Sequence, residues 1–371
     1  MLFAAAAALG AMLLHLFLLR DVWASPAHLI PGWPGDNSMF LWNLWWLSDT
    51  FRSGHFTLQC DIINYPVGAN LAFHTNTIIY SGLVALFPIK DFEGDVLSYN
   101  TIMLLSSMAS AVALFLIARL SGARQSIAVV VAVLMTFGNF RRYSMYGHLN
   151  LTGTEFYFFA VFAAVMAVRA EKPLCQWIVS GVLAGLAFWN DQTMGIMSLL
   201  YASLLLIYRF VSIRDKSVSL HALAYGLTFF VIVAFYLPPL IRQYFSRGFY
   251  VASINDLRAT DIFELLIPSD FNSWVGYQCF LLRKALHINW STYQIASLGV
   301  AGNIMIALWV GGILLRRQWL WKRFATMTKF HIMIVLISFV LVLGDTLHVA
   351  GHRLIPLPAA LLRFIPVVNN L

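Results

Sequence analysis

Long uncharged apolar runs, closed off by short basic connectors, constrain this chain more than any other feature. A helix that crosses a bilayer needs about 20 mostly apolar residues. Runs near that length occupy 2–19, 97–118, 126–140, 153–168, 175–189, 192–208, 219–237, 293–315 and 330–344. In hydrocarbon, every backbone N–H and C=O must be bonded within a helix or a closed barrel. A barrel strand would read as an alternating segment of roughly ten residues, and the chain carries no series of such segments. The expectation is an all-α, polytopic helical membrane protein of about nine transmembrane helices. Composition agrees, because only 11% of the 371 residues are charged, against roughly 25% in an average soluble domain. A soluble enzyme, a disordered chain and a disulfide-dense secreted module are excluded on these grounds. Three cysteines supply neither a scaffold nor a zinc site of ordinary spacing. The net charge of +8 is no nucleic-acid signature, since its meaning depends on the side of the membrane each charge occupies. No nucleic-acid partner is expected.

Orientation follows from Lys and Arg in the short loops. With a cytoplasmic N-terminus the inner loops are 119–125, 169–174, 209–218 and 316–329, and they hold 12 of the 24 basic residues. They hold two of the 16 acids, Glu171 and Asp215. The inner loops have the length of plain connectors. The outer stretches 20–96, 238–292 and 345–371 are long and collect the acids, so function is expected on the outer face. No basic residue precedes Leu2 and no small-x-small site follows the first run, which reads as an uncleaved anchor. Cys60 and Cys279 both fall in outer loops, where an oxidising compartment would permit a bridge or leave two free thiols.

The first outer loop is the most informative. It opens with Pro26, Pro31, Gly32, Pro34 and Gly35, then continues through Asp36 into a short run holding Trp42, Trp45 and Trp46. Indoles of that kind collect at membrane interfaces, and a second interfacial helix is expected over Thr77–Phe87. Asp36 stands at an expected N-cap, a role worth about 1 kcal/mol. A carboxylate there is equally a candidate general base or metal ligand. Arg141 and Arg142 lie in a short outer loop, where they either snorkel or bind an anion such as phosphate. His148 and Asn150 share that loop, and Glu155 is an acid at the membrane edge. Asp191 sits in a tight Asn-Asp turn that geometry alone would favour. His74, Asn76 and Asp61 form a further polar group around Asn64–Asn70. No P-loop, GxSxG, HExxH or dinucleotide glycine pattern occurs.

Together these features resemble the GT-C class of integral-membrane glycosyltransferases in its bacterial form. Pro31–Trp46 (PGWPGDNSMFLWNLWW) resembles the start of that class's long first outer loop, which carries an early Asp and interfacial helices. Tyr65-Pro66-Val67-Gly68-Ala69-Asn70-Leu71, followed by His74, is similar to its P-x-G-x-x-L element. Gly147–Leu151 resembles the second outer loop, and Phe263–Gly276 and Pro356–Leu371 resemble later ones. The resemblance implies a GT-C-like fold in a single membrane domain, placed in the inner membrane with an outer active face. It implies transfer of a sugar from a polyprenyl-phosphate donor to a lipid, glycan or protein acceptor. Asp36 would be the base or metal ligand, with Asp191 or Glu155 as a second acid. Arg141, Arg142, His148, Asn150 and His74 would bind substrate. A divalent cation, magnesium or manganese, is the one cofactor implied, and Asp36 would be its ligand. Asn37 stands where many members carry a second acid. Relatives continue past a loop like Pro356–Leu371 into further helices, so the resemblance implies a C-terminally shortened chain. The alternatives are a lipid or polysaccharide flippase, or a polymerase or ligase of surface polysaccharides. Transporters place ionisable groups at the midplane, whereas here they gather outside the runs.

Overall fold

The structure is a computed structural model. It describes residues 1–247 apart from 33, 34, 74, 75 and 90, and beyond them 261, 263, 267, 276–286, 336, 343, 346–358 and 360. Its elements fall into two units, Met1–Phe137 with Arg141–Gly248, and Gly138–Phe140 with Phe249–Leu371.

The first unit is almost wholly helical. It runs through α1 (Leu2–Leu18), α2 (Arg20–Trp23), α3 (Asp36–Arg52), α4 (Ile78–Ala85), α5 (Phe92–Leu120) and α6 (Gln125–Thr136). It continues through α7 (Asn139–Ser144), α8 (Leu149–Thr152), α9 (Glu155–Arg169), α10 (Leu174–Asn190), α11 (Gln192–Tyr208), α12 (Val218–Val233) and α13 (Leu237–Arg247). A two-stranded antiparallel ladder, β1 (Gln59–Cys60) with β2 (Ala69–Asn70), interrupts the first long loop. Among the described residues, three helical stretches are long and apolar enough to cross a membrane: Phe92–Leu120, Leu149–Arg169 and Gln192–Ile213. Four shorter apolar helices, α1, α6, α10 and α12, accompany them. The first seven expected spans therefore coincide with helices, and the expected spans 293–315 and 330–344 lie outside the described residues.

The helix surfaces are arranged the reverse of a soluble protein's. Leu9, Leu13 and Phe17 of α1 face outward, as do Ile127, Val130 and Leu134 of α6 and Leu223, Leu227 and Phe230 of α12. The buried faces of α1 and α6 are small or polar, with Ala7, Ala11 and His15 on α1 and Ala128, Ala132 and Thr136 on α6, and the middle of α5 adds Ser106, Ser107, Ser110 and Ala111. Lipid offers no reason to bury a leucine, so close packing by small residues and interhelical hydrogen bonds hold such helices together. Gly181 and Gly185 of α10 meet Thr228 and Ile232 of α12 so closely that a Cβ at either glycine would overlap them. Two cations close the C-terminal end of α5: Arg169 donates to Leu120 O, the last carbonyl of the helix, and Arg119 of its last turn donates to Ala123 O in the connection that follows. Such placement matches the negative end of a helix dipole.

The first long loop is built around α3 and α4. α3 buries Phe40, Leu41, Leu44 and Leu47 along one face against α4 and the start of α5. Burial of each such side chain stabilises the loop by about 1.5–3 kcal/mol. Trp42 and Trp46 stack with ring centroids 6.1 Å apart, and Trp45 faces outward. Two sequence expectations are corrected here. The N-cap of α3 is Gly35, and Asp36 is the first helical residue, with no side-chain cap bond. α5 begins at Phe92, capped by the Asp91 carboxylate on the Gly94 N–H at 2.7 Å, so the loop ends before residue 96.

The second unit holds α14 (Gly276–Ala285) and an antiparallel hairpin of β3 (Thr346–Val349) and β4 (His352–Pro356). The Asp261 carboxylate accepts from the Gly351 N–H at 2.8 Å. Cys60 is a buried free thiol and Cys175 an exposed one.

Candidate functional site

The segment between α7 and α9 is the hub of the candidate site. Asp36 and Asp191 each meet a residue of this segment, and Glu155, at its end, shares Ser106 with Arg141 of α7.

Asp36 meets His148. Its carboxylate lies 3.6 Å from His148 Nε2, beyond a hydrogen bond but close enough for charge to be felt. The Asp36 side chain is 60% exposed and caps nothing. The imidazole packs against two rings, T-shaped with Phe40 at a centroid distance of 6.2 Å and stacked with Tyr143 at 6.3 Å. Chain geometry explains why these two loops meet. Gly32 adopts φ +93°, and a Cβ on it would lie 1.9 Å from the Tyr146 backbone oxygen. Only glycine allows that conformation and that approach together. Asn37 then ties the turn to the helix, donating to Pro31 O at 2.7 Å.

Asp191 meets Asn150. The carboxylate accepts from Asn150 Nδ2 and from the Met194 N–H at 3.1 Å, capping α11. Burial raises its pKa above the ordinary carboxylate range. Beside it, Gln192 donates to Ala72 O at 2.8 Å and to the Tyr236 hydroxyl at 2.9 Å. Asn76 donates to Leu71 O at 2.6 Å and to the same hydroxyl at 3.3 Å.

Glu155 meets Arg141 through Ser106. Glu155 accepts from the Tyr80 hydroxyl at 2.6 Å and from Ser106 Oγ at 2.6 Å. Arg141 donates through Nη2 to Ser106 Oγ at 3.1 Å, through Nη1 to Ser107 Oγ at 2.9 Å and through Nε to Thr152 O at 2.9 Å. His15 joins from α1, its Nδ1 lying 2.9 Å from Ser107 Oγ. Arg141 is 3% exposed, so it neither snorkels nor faces solvent. Burial pulls its pKa down to about 10, which leaves it protonated at neutral pH. Burial and the neighbouring Glu155 push the Tyr80 hydroxyl well above its usual range.

Of the eight residues proposed from sequence, the structure brings together Asp36 with His148, Asn150 with Asp191, and Arg141 with Glu155. Arg142 is partly exposed, and His74 lies outside the described residues. Ser106, Ser107, Tyr80 and His15 were missed. Their signal was a run of hydroxyls, Ser106-Ser107 and Ser110, on an otherwise apolar span. Among the described residues no group of three or more His, Cys, Asp or Glu could hold a metal ion. Asp36 with His148 supplies two ligand groups, short of the oxygen-rich set that magnesium demands. No family model, no curated protein and no solved structure matches the chain.

Proposed function

We propose that the protein is a membrane glycosyltransferase that moves a sugar from a polyprenyl-phosphate donor to an acceptor hydroxyl on the outer face. The observation that carries this reading is the Asp36 carboxylate. It is the exposed acid of the three, it caps nothing, and it lies 3.6 Å from an imidazole supplied by the second loop. Glu155 and Asp191 are buried and hydrogen-bonded, so they position the loop while Asp36 acts as the base.

The donor enters from the bilayer with its phosphate against Arg142. Asp36 takes the proton of the acceptor hydroxyl, whose oxygen forms the new bond to the anomeric carbon. The bond from that carbon to the phosphate oxygen breaks, and polyprenyl phosphate leaves with the electron pair. Attack opposite the leaving group inverts the anomeric centre. His148, packed against Phe40 and Tyr143, orients the carboxylate and bonds to the sugar. Where a divalent cation serves the reaction, Asp36 is the residue that would ligate it. The multi-pass inner-membrane topology with a cytoplasmic N-terminus belongs to the same reading. The large apolar side chains turned outward on α1, α6 and α12 support it.

The test is transfer of labelled sugar from a polyprenyl-phosphate donor by the purified full chain in liposomes. Labelled product with a new glycosidic bond supports the reading. Movement of intact donor between leaflets without bond exchange overturns it in favour of a flippase.

A further inference from the structure

A groove separate from the Asp36–His148 pair runs between α3 and the start of α5. It has a volume of about 380 Å³, or about a dozen water volumes at roughly 30 Å³ each. That is room for one monosaccharide or one compact headgroup. Trp42, Trp45 and Phe92 form its apolar walls, and His28, Asp91 and Asp95 contribute the polar groups. Trp45 and Phe92 are exposed, so the walls stand open to an incoming molecule.

Asp95 distinguishes the groove from a surface depression. The residue is 5% exposed, it lines the groove, and its Oδ1 has no hydrogen-bond partner among the described residues. An acceptor left so costs stability, and a buried charge is retained when something pairs with it. Asp91 already spends one oxygen on the Gly94 N–H. The charges that act on Asp95 are the Arg52 cation and the Asp91 and Asp49 carboxylates. His28 lies 4.0 Å from Glu93. Carboxylates therefore outnumber cations, which favours a cationic group over an anionic one at this end of the groove. Indole faces attract a cation through the ring quadrupole.

We propose that this groove binds a primary ammonium group carried on a compact polar molecule, with the ammonium on Asp95 and its carrier against Trp42 and Trp45. Two sources share that chemistry, an amino sugar and an aminoalkyl lipid headgroup. The inference stands on the groove and needs no turnover, so it succeeds or fails independently of sugar transfer.

The experiment is equilibrium binding to the full chain in detergent, followed by calorimetry. The probes are glucosamine with glucose as its neutral counterpart, and phosphoethanolamine with phosphoglycerol as its counterpart. At least one amine should bind tenfold or more tighter than its counterpart, and Asp95→Asn should remove that preference without lowering the melting midpoint. Tighter glucosamine assigns the site to a sugar, and tighter phosphoethanolamine to a headgroup. Trp45→Ala, an exposed change, should weaken the preferred amine about tenfold and serves where Asp95→Asn does not fold. Equal affinity of both amines and both counterparts for the wild-type chain overturns the proposal. So does an unchanged amine preference in a folded Asp95→Asn.

Discussion

Replacing Glu155 by Gln deletes a charge and little else. The amide oxygen still accepts from the Tyr80 hydroxyl, 2.6 Å away in the wild type. Ser106 Oγ has a second acceptor, Thr152 O at 3.0 Å, and turns its proton there. What is lost is the negative charge that offsets Arg141, a guanidinium 3% exposed and fixed on Ser106, Ser107 and Thr152. Removing one partner of a buried ion pair costs about 3–5 kcal/mol. Here a serine hydroxyl stands between the charges, which puts the cost at the lower end, about 3 kcal/mol. At roughly 2 °C per kcal/mol for a chain of this size, the melting midpoint falls by about 6 °C. Arg141→Met should fall at least as far. The double variant should be no worse than the poorer single one, because neither charge is then stranded. Intrinsic fluorescence melting of the three variants in one detergent is the assay. Single variants melting within a degree of wild type, or losses that add in the double variant, would refute the reasoning.

Gly32→Ala forces a side chain onto φ +93° and into the Tyr146 carbonyl. It should lower the melting midpoint and raise hydrogen exchange over residues 144–150, and unchanged exchange there would count against the loop contact. The raised pKa of Asp191 means that the native state holds that proton more tightly than the unfolded chain. Its contribution to stability is therefore full below about pH 3.9 and is lost as pH rises through the raised value. Asp191→Asn should flatten that part of the melting-against-pH curve, and coincident slopes would dismiss the effect. Reporter fusions at Arg124, Lys216 and Lys322 should read cytoplasmic, and those at Gly68, Asp256 and Gly351 outer. A cytoplasmic Asp256 would place the loops in the wrong compartment.

Helices read well from this sequence because lipid demands long apolar runs, and the first seven runs are helices. Boundaries shifted where polar residues belong to a helix. Phe92–Val96 reads as loop from the sequence, where Glu93 and Asp95 break the apolar pattern, yet acids suit a first turn. α3 was ambiguous because its buried face includes Asn37 and Asn43 along with Phe40 and Leu44. Periodicity cannot show that a buried Asn has a carbonyl waiting for it. Asp36 was misplaced by one residue, since Gly35 can end a loop as readily as Asp. The pairing of Asp36 with His148 was not legible, because it depends on Gly32 meeting Tyr146, a contact 114 positions apart. The Gly181 and Gly185 contact with α12 was written in the chain as a GxxxG spacing and went unread.

The central claim is that Asp36 is the base, and Asp36→Asn tests it most directly. The structure removes the competing role, because Gly35 is the cap and the Asp36 side chain makes no cap bond. The variant should therefore express and melt like wild type. General-base catalysis contributes about 10²–10⁴-fold in rate, so sugar transfer from the polyprenyl-phosphate donor should fall at least a hundredfold. Transfer within a fewfold of wild type by a folded Asp36→Asn would contradict the claim and take the residue out of the mechanism.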